Sequence, residues 1–461
     1  MATSVTAESL SDKPIATYDD LLALFHGAIK PVAEFRVGAE MEKFGVHAAT
    51  GAPITYDGPD GVHAIMDELA RDKGWATERE SADGPLIALL RDGASITLEP
   101  GSQFELSGAP LLHCHQICAE FRGHLAEIAP FSERHHIKWL GVGFQPFSRR
   151  EDYAMVPKQR YTVMREYLPT RGSLALDMML RTATVQANYD YSSEDDAMLK
   201  MRVGLRLGPL TTAMFANAPF YEGKAFGGKS FRAKVWLDTD PDRSGLVPPL
   251  WKKNAKFVDY VEWALDVPMF MFKRDGKKIA NTGQTFRSFF KSGYQGHRPL
   301  LSDWQTHLNT LFPEVRLKKT IEVRGADAQG RKLACALPAL WTGIYYDEKA
   351  LKEADALTAD WTHDEVAQTR KEVWQKGLQA RFRGQPIAPF AEKVLTIAEG
   401  GLERRGYMTP SGQSDERVHL ARLKELVAAG QTPADKLLEG LEHVSDPRAE
   451  ILARTDLGNG T

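Results

Sequence analysis

VGAEMEKFG, residues 37–45, alternates apolar Val37, Ala39 and Met41 with Glu40 and Glu42. A period of two marks a strand whose successive side chains face opposite sides of a sheet. Three further stretches repeat the pattern, with acids, amides or an arginine on the polar parity. They are SITLEPGSQFELS (95–107) with Glu99 and Glu105, TATVQANYD (182–190) with Gln186 and Asn188, and TIEVRGAD (320–327) with Glu322 and Arg324. Ala183, Val185 and Ala187 oppose the amides, while Ile321 and Val323 oppose Glu322 and Arg324. One sheet with an apolar back and a carboxylate-rich front accommodates all four. Alternation alone also describes a solvated antiparallel strand; here the number of acids sharing one face is what stands out. Such acids repel unless cations neutralise them. Oxygen-only ligands favour Mg²⁺, with Mn²⁺ as its substitute, and Mg²⁺ usually also holds substrate phosphates, which points to ATP chemistry.

Around these strands the chain is ordinary in bulk. Its 461 residues are 43% hydrophobic and 26% charged, with a net charge of -3, enough to bury a large core and no electrostatic invitation to nucleic acid or an anionic membrane. No apolar run approaches the roughly 18–20 residues of a membrane span. The first twenty residues, MATSVTAESLSDKPIATYDD, lack an apolar h-region and carry several acids, so neither a secretory signal nor a transit peptide is expected and the cytoplasm is the default location. YDDLLALFHGAIKPV (18–32) reads as a helix after a short tail. HQICAEFRGHLAEIAPFSERH (115–135), DDAMLKMRVGLRLGPLTTAMFANA (195–218) and FVDYVEWALDV (257–267) read as helices between strands, and nearly everything beyond about residue 360 has a helical pattern. Gly430 suits a position just past a helix, and Thr432 before Pro433 suits the start of the next. The expected organisation is a tail and helix over 1–34, an α+β catalytic core over 35–350, and a helical C-terminal subdomain over 351–461 packed on it.

Three other motifs compete for attention. GKAFGGKS (223–230) matches a phosphate loop at Gly223, Gly228, Lys229 and Ser230, but such a loop needs a buried strand before it and a helix after it. FANAPFYE is no buried strand, and FRAKVWLDTDPDRSG reads as a strand entering a turn, so the context fails on both sides. HCHQIC places His113, Cys114, His115 and Cys118 together; zinc sites usually need a second cluster further along, and none follows, so an ordinary helix start is the reading. Arg160, Arg232 and Arg243 sit near expected strand ends, where guanidinium forks could serve carboxylates or phosphates if they face the acidic sheet.

Longer blocks carry more information. GAEMEKFG, SITLEPGSQFELSGAP, LGVGFQP, GSLALDMMLRTATVQANYDYSSE, FANAPFYEGK, WLDTDPDRSG, LFPEVRLKKTIEVRGAD and GLERRG together resemble the plant-type glutamate–cysteine ligases, a family that also occurs in bacteria. The resemblance implies a glutamine synthetase-like core: a curved, mainly antiparallel sheet flanked by helices, binding ATP and several Mg²⁺ ions on its concave face. It places metal ligands at Glu40, Glu42, Glu99, Gln186 and Glu322, and aims Arg324 at the phosphates as the catalytic cation. It gives substrate contacts to Glu105, Arg160, Arg232 and Asn188. The implied reaction passes through γ-glutamyl phosphate, which the amine of cysteine then displaces to begin glutathione or related thiol synthesis. Expected partners are glutamate, cysteine and ATP, with a homodimer as candidate assembly. A sister ligase that joins glutamate to another amine is the alternative, and a catalytically silent homologue is disfavoured by the retained acids.

The chain departs from the family in places. Met41 stands where His is familiar between the paired acids. Plant members are regulated through disulfides, and the three cysteines here, Cys114, Cys118 and Cys335, cannot form two bridges. One bridge from Cys335 to Cys114 or Cys118 is conceivable, and reduced buried thiols are the expectation.

Overall fold

The computed structural model describes residues 13–458; the reading of residues 1–12 as a leaderless tail lies outside them. Nine strands form one antiparallel sheet: β1 (Val37–His47), β2 (Ala76–Arg79), β3 (Leu86–Arg91), β4 (Ala94–Leu98), β5 (Phe104–Ser107), β6 (Ile137–Leu140), β7 (Thr184–Tyr189), β8 (Val315–Leu317) and β9 (Ile321–Asp327). Their order is β8-β9-β7-β1-β5-β4-β3-β2, with β6 also paired to β1. The eleven residues of β1 serve three partners. Val37–Met41 pair with β7, Glu40–Lys43 with β5, and Phe44–His47 with β6.

The apolar parity covers the back. Val37, Ala39, Met41, Val185, Ala187, Ile321 and Val323 are all buried. Helix α1 (Cys114–Arg134) packs on β1 and β6, α2 (Glu194–Met214) on β8 and β9, and α3 (Ala336–Tyr345) on β1 and β7. Every residue of α3 is buried, the pattern of a helix inside a core. The C-terminal helices α4 (His363–Lys376) and α5 (Ala388–Arg405) extend this layer, α4 lying against α2 and α5 against α3. A Cβ on Gly401 would stand 1.8 Å from the carbonyl oxygen of Gly343, so the glycines of GGLERRG let α5 and α3 touch backbone to backbone. One apolar cluster reaches from Ile15 to Leu457. Among the described residues no helix is long and apolar enough to cross a membrane.

Local structure differs from the sequence reading in four places. FRAKVW is a helix, Phe231–Trp236, and not a strand; Ser230 caps it by accepting from Ala233 N–H at 2.9 Å. Its alternation of Phe231, Ala233 and Val235 with Arg232 and Lys234 mimics a strand, but the buried set is Phe231, Arg232 and Val235. Glu99 lies just past β4, in the turn that joins it to β5. The helix from residue 363 stops at Lys376, and a small hairpin pairs Arg381–Phe382 with Gln385–Pro386. Finally, Cys118 and Cys335 form a disulfide while Cys114 is free and buried, which corrects the expectation of three reduced thiols. The two bonded residues are 217 apart in sequence and meet because α1 and the start of α3 share the back of the sheet.

Candidate active site

Strand register assembles the front face. Glu40 stands beside Gln186, and Glu42 beside Glu105, which in turn faces Thr97 on β4. Asn188 stands beside Glu322, and Glu322 beside Arg316 on β8. Arg324 lies within a bulge between Val323 and Ala326, beyond which Asp327 stands beside Thr184. The face lines a cleft of about 340 Å³ whose walls include Glu40, Glu42, Glu99, Glu105, Arg160, Gln186, Arg232, Glu322 and Arg324. Asn188 is the one expected site residue outside that lining. It lies under it, donating to Glu40 Oε1 at 2.8 Å and accepting from Thr320 Oγ1 at 3.1 Å.

The cleft is electrically divided. On one side Glu40 and Glu105 are buried and Glu42 is half-buried, and among the described residues none has a Lys or Arg nitrogen within ion-pair distance. Among the described residues Glu42 accepts only from the Thr184 N–H at 2.9 Å; Glu105 accepts from Thr97 and Ser107 hydroxyls, each at 2.7 Å. Burial raises all three carboxyls above their ordinary range. Glu322 and Glu105 reinforce the rise at Glu40, Glu99 and Glu105 at Glu42, and Glu99 at Glu105. This is a set of oxygen donors short of positive charge, and it fits a hard divalent cation.

On the other side cations are in excess. Glu322 receives Arg316 at 2.7 and 3.0 Å, Lys318 at 2.8 Å and Arg324 at 2.8 Å. Burial alone would raise its carboxyl; these three cations overrule burial and hold it well below the ordinary range. Arg324 also donates to Gln186 Oε1 at 2.5 Å. Arg232, from the short helix, donates to the Arg324 carbonyl at 3.0 Å and faces Asp327 at 3.8 Å. Three guanidinium and ammonium groups around one carboxylate leave net positive charge for an anion.

The mouth mixes both signs. Arg160 lies 3.9 Å from Glu99 and donates to the Tyr161 hydroxyl at 3.0 Å. Lys158 donates to the Leu98 carbonyl at 2.8 Å; burial, then Arg160, brings its ammonium down to about 8. Lys278, on the hairpin Met271–Arg274 with Lys277–Ala280, pairs with Glu80 of the sheet's far edge. Arg316, Lys318, Lys158, Glu78 and Lys278 were not expected from sequence. The first two had a readable signal, since VRLK at 315–318 continues the period of two seen in TIEVR.

Two arginine and lysine candidates fall elsewhere. Arg243 is buried against Asp240 at 2.6 Å and over the Phe270 ring, a structural role. Lys229 pairs with Asp435 at 2.5 Å, and neither it nor Gly223 nor Gly228 lines the cleft. The phosphate-loop match has a helix after all, but one of six residues that follows a small hairpin and not a buried strand.

Comparison with known proteins places this geometry. Residues 36–453 match the model of the glutamate-cysteine ligase family 2. The chain is 44% identical over 441 residues to the chloroplastic glutamate–cysteine ligase of Brassica juncea, covering 95% of this chain and 84% of that one. It is 43% identical to the chloroplastic glutamate–cysteine ligase B of Oryza sativa subsp. japonica, covering 95% and 86%. Among solved structures it resembles the glutamate–cysteine ligase of Francisella tularensis in complex with AMP, with TM-score 0.56, 14% identity, and 91% and 87% of the two chains covered. A bifunctional glutathione synthetase from Pasteurella multocida matches with TM-score 0.51 and 16% identity over 96% of this chain and 54% of that one. The glutamine synthetase-like α+β fold expected from sequence is the fold found.

Proposed function

Because this chain belongs to the glutamate-cysteine ligase family 2, we propose that its cleft joins the γ-carboxylate of glutamate to the amino group of cysteine at the expense of ATP. The observation that carries the reading is the division of charge: buried, unpaired acids on one side and a surplus of Arg and Lys on the other. Glu40, Glu42, Glu99 and Glu105 would hold Mg²⁺, with Gln186 beside them. Glu322 would join them by exchanging one of its present cations, Lys318 and Arg324 each having one contact to it and Arg316 two. When bound, the metal supplies charge neutralisation for the phosphates.

The residues of the chain then do the following. Arg324 and Arg316 fix the anionic groups of the nucleotide in line with the glutamate carboxylate, which attacks the γ-phosphorus as ADP leaves. Arg232, reaching from the short helix, steadies the charge on the transferring group. The cysteine nitrogen attacks the acyl phosphate carbon, phosphate departs, and the amine sheds a proton. Arg160 at the mouth suits an amino-acid carboxylate. No protein nucleophile is needed.

Phosphate release measured with glutamate, ATP, Mg²⁺ and a panel of amines tests the reading. Cysteine should give the highest kcat/KM. Product from another amine and none from cysteine would transfer the assignment to a sister ligase.

A further inference from the structure

Behind the sheet, away from the cleft, a second cluster joins three distant segments. Cys118 is on α1, Cys335 caps the start of α3, and His419 belongs to the 3₁₀ segment Glu416–Leu420. One ligand atom from each lies within 4.8 Å of the others. We propose that the reduced chain holds a thiophilic divalent cation, zinc in class, between Cys118 Sγ, Cys335 Sγ and His419 Nδ1.

The hydrogen bonds fix the imidazole for this task. His115 Nε2 lies 3.2 Å from the Tyr407 carbonyl oxygen, which can only accept, so that nitrogen carries the proton. With Nε2 as its donor, His115 offers Nδ1 as the acceptor for His419 Nε2–H, 2.9 Å away. Neutral His419 is left with a lone pair on Nδ1, 3.4 Å from Cys118 Sγ. A backbone carbonyl orienting one imidazole through another is the outer-shell arrangement that holds metal-ligating histidines in place. The 3.4 Å separation is close to the edge of a tetrahedron built with Zn–S of about 2.3 Å and Zn–N of about 2.0 Å. With the disulfide opened, the sulfurs need to part only to about 3.8 Å, the corresponding S···S edge for such bonds.

Charge and chemistry agree with the geometry. Two thiolates and a divalent ion sum to zero, the state a buried site tolerates best. Sulfur and imidazole donors select zinc-like ions, whereas the oxygen-lined cleft selects magnesium-like ones, so the two sites do not compete. Cys114, one turn earlier on α1, points its thiol at Thr342 Oγ1, 3.6 Å away, and stays outside the set. A water completes the fourth position. Loading needs two steps. A dithiol reductant gives two electrons and two protons to the Cys118–Cys335 bond and becomes a disulfide itself; the ion then displaces both thiol protons.

Co²⁺ titration of the full-length protein tests this, because only thiolate ligation gives a near-ultraviolet sulfur-to-cobalt charge-transfer band. After reduction by a phosphine under argon, one equivalent should develop the band together with intensified tetrahedral ligand-field bands, and Zn²⁺ should abolish both. Glu42→Gln should leave the band intact, and His419→Gln should weaken Co²⁺ affinity at least tenfold. A reduced wild-type protein with unchanged circular dichroism and no charge-transfer band overturns the proposal. So does a band of equal affinity in His419→Gln.

Discussion

Glu42 concentrates the electrostatic problem of the active-site face. It is half-buried, bonded among the described residues only to one backbone N–H, and flanked by Glu99 and Glu105. Glu42→Gln keeps the shape and removes the charge; kcat should fall by about 10²-fold or more, the cost of losing one preorganised electrostatic partner, with the Mg²⁺ requirement shifted upward. Unchanged turnover and metal dependence would remove Glu42 from the metal set. A second expectation follows from the protons. Glu40, Glu42 and Glu105 have folded-state pKa values above the ordinary 4.5, so the metal-free fold retains protons that the unfolded chain releases. That stabilising contribution is present at low pH and is lost as pH climbs through the raised values. Mg²⁺ should therefore raise the thermal midpoint more at pH 8 than at pH 5; an equal or reversed gain would contradict the site. Strand parity made these acids legible in the sequence because their partners are fixed by a period of two. Lys158 and Glu78 were not legible, since one belongs to a loop and the other to a strand without clear alternation, and only the folded chain brings them to the cleft.

At the scale of elements, the short helix Phe231–Trp236 matters more than its length suggests. Ser230 both caps it and donates to Asp327 Oδ1 at 2.9 Å, tying the helix that carries Arg232 to the end of β9. Ser230→Ala should lower stability by about 1–2 kcal/mol, the usual cost of a lost cap, seen as a lower denaturation midpoint; no change would mean the helix is held by packing alone. Lys229→Ala, one residue earlier, removes a half-exposed ion pair and should alter kcat less than about twofold. Abolished ATP turnover would instead revive the phosphate-loop reading. This helix was misread because FRAKVW alternates like a strand while tertiary contact chooses a different face. The long helices were legible because their apolar stripes persist over many turns, as in Glu194–Met214.

For the molecule as a whole, the C-terminal end closes the sheet's edge. Thr455 O accepts from Gly141, Leu457 donates to the Trp139 carbonyl, and Ile451 and Leu452 pack with Phe44, Val46 and Leu140. Truncation after Val444 should cost about 3–6 kcal/mol from the two aliphatic side chains alone, read as a depressed thermal midpoint and loss of soluble protein. A truncated chain of unaltered midpoint would make the tail dispensable. Family resemblance supplied from sequence what parity could not, the joining of the four polar faces on one sheet; the pairing of residues 118 and 335, conceivable from sequence beside a 114–335 bridge, was not chosen there because no local pattern encodes a contact of that span. That span has a further meaning for β1, whose neighbours come from residues near 105, 140 and 186 and whose acids lie across the cleft from the cations at 316, 318 and 324 that surround Glu322. A ribosome adding roughly 5–20 residues per second makes Glu40 and Glu42 tens of seconds before it makes the arginines that face them. The nascent chain thus carries β1 and its three strand partners complete well before it makes the cations on the far side of the cleft.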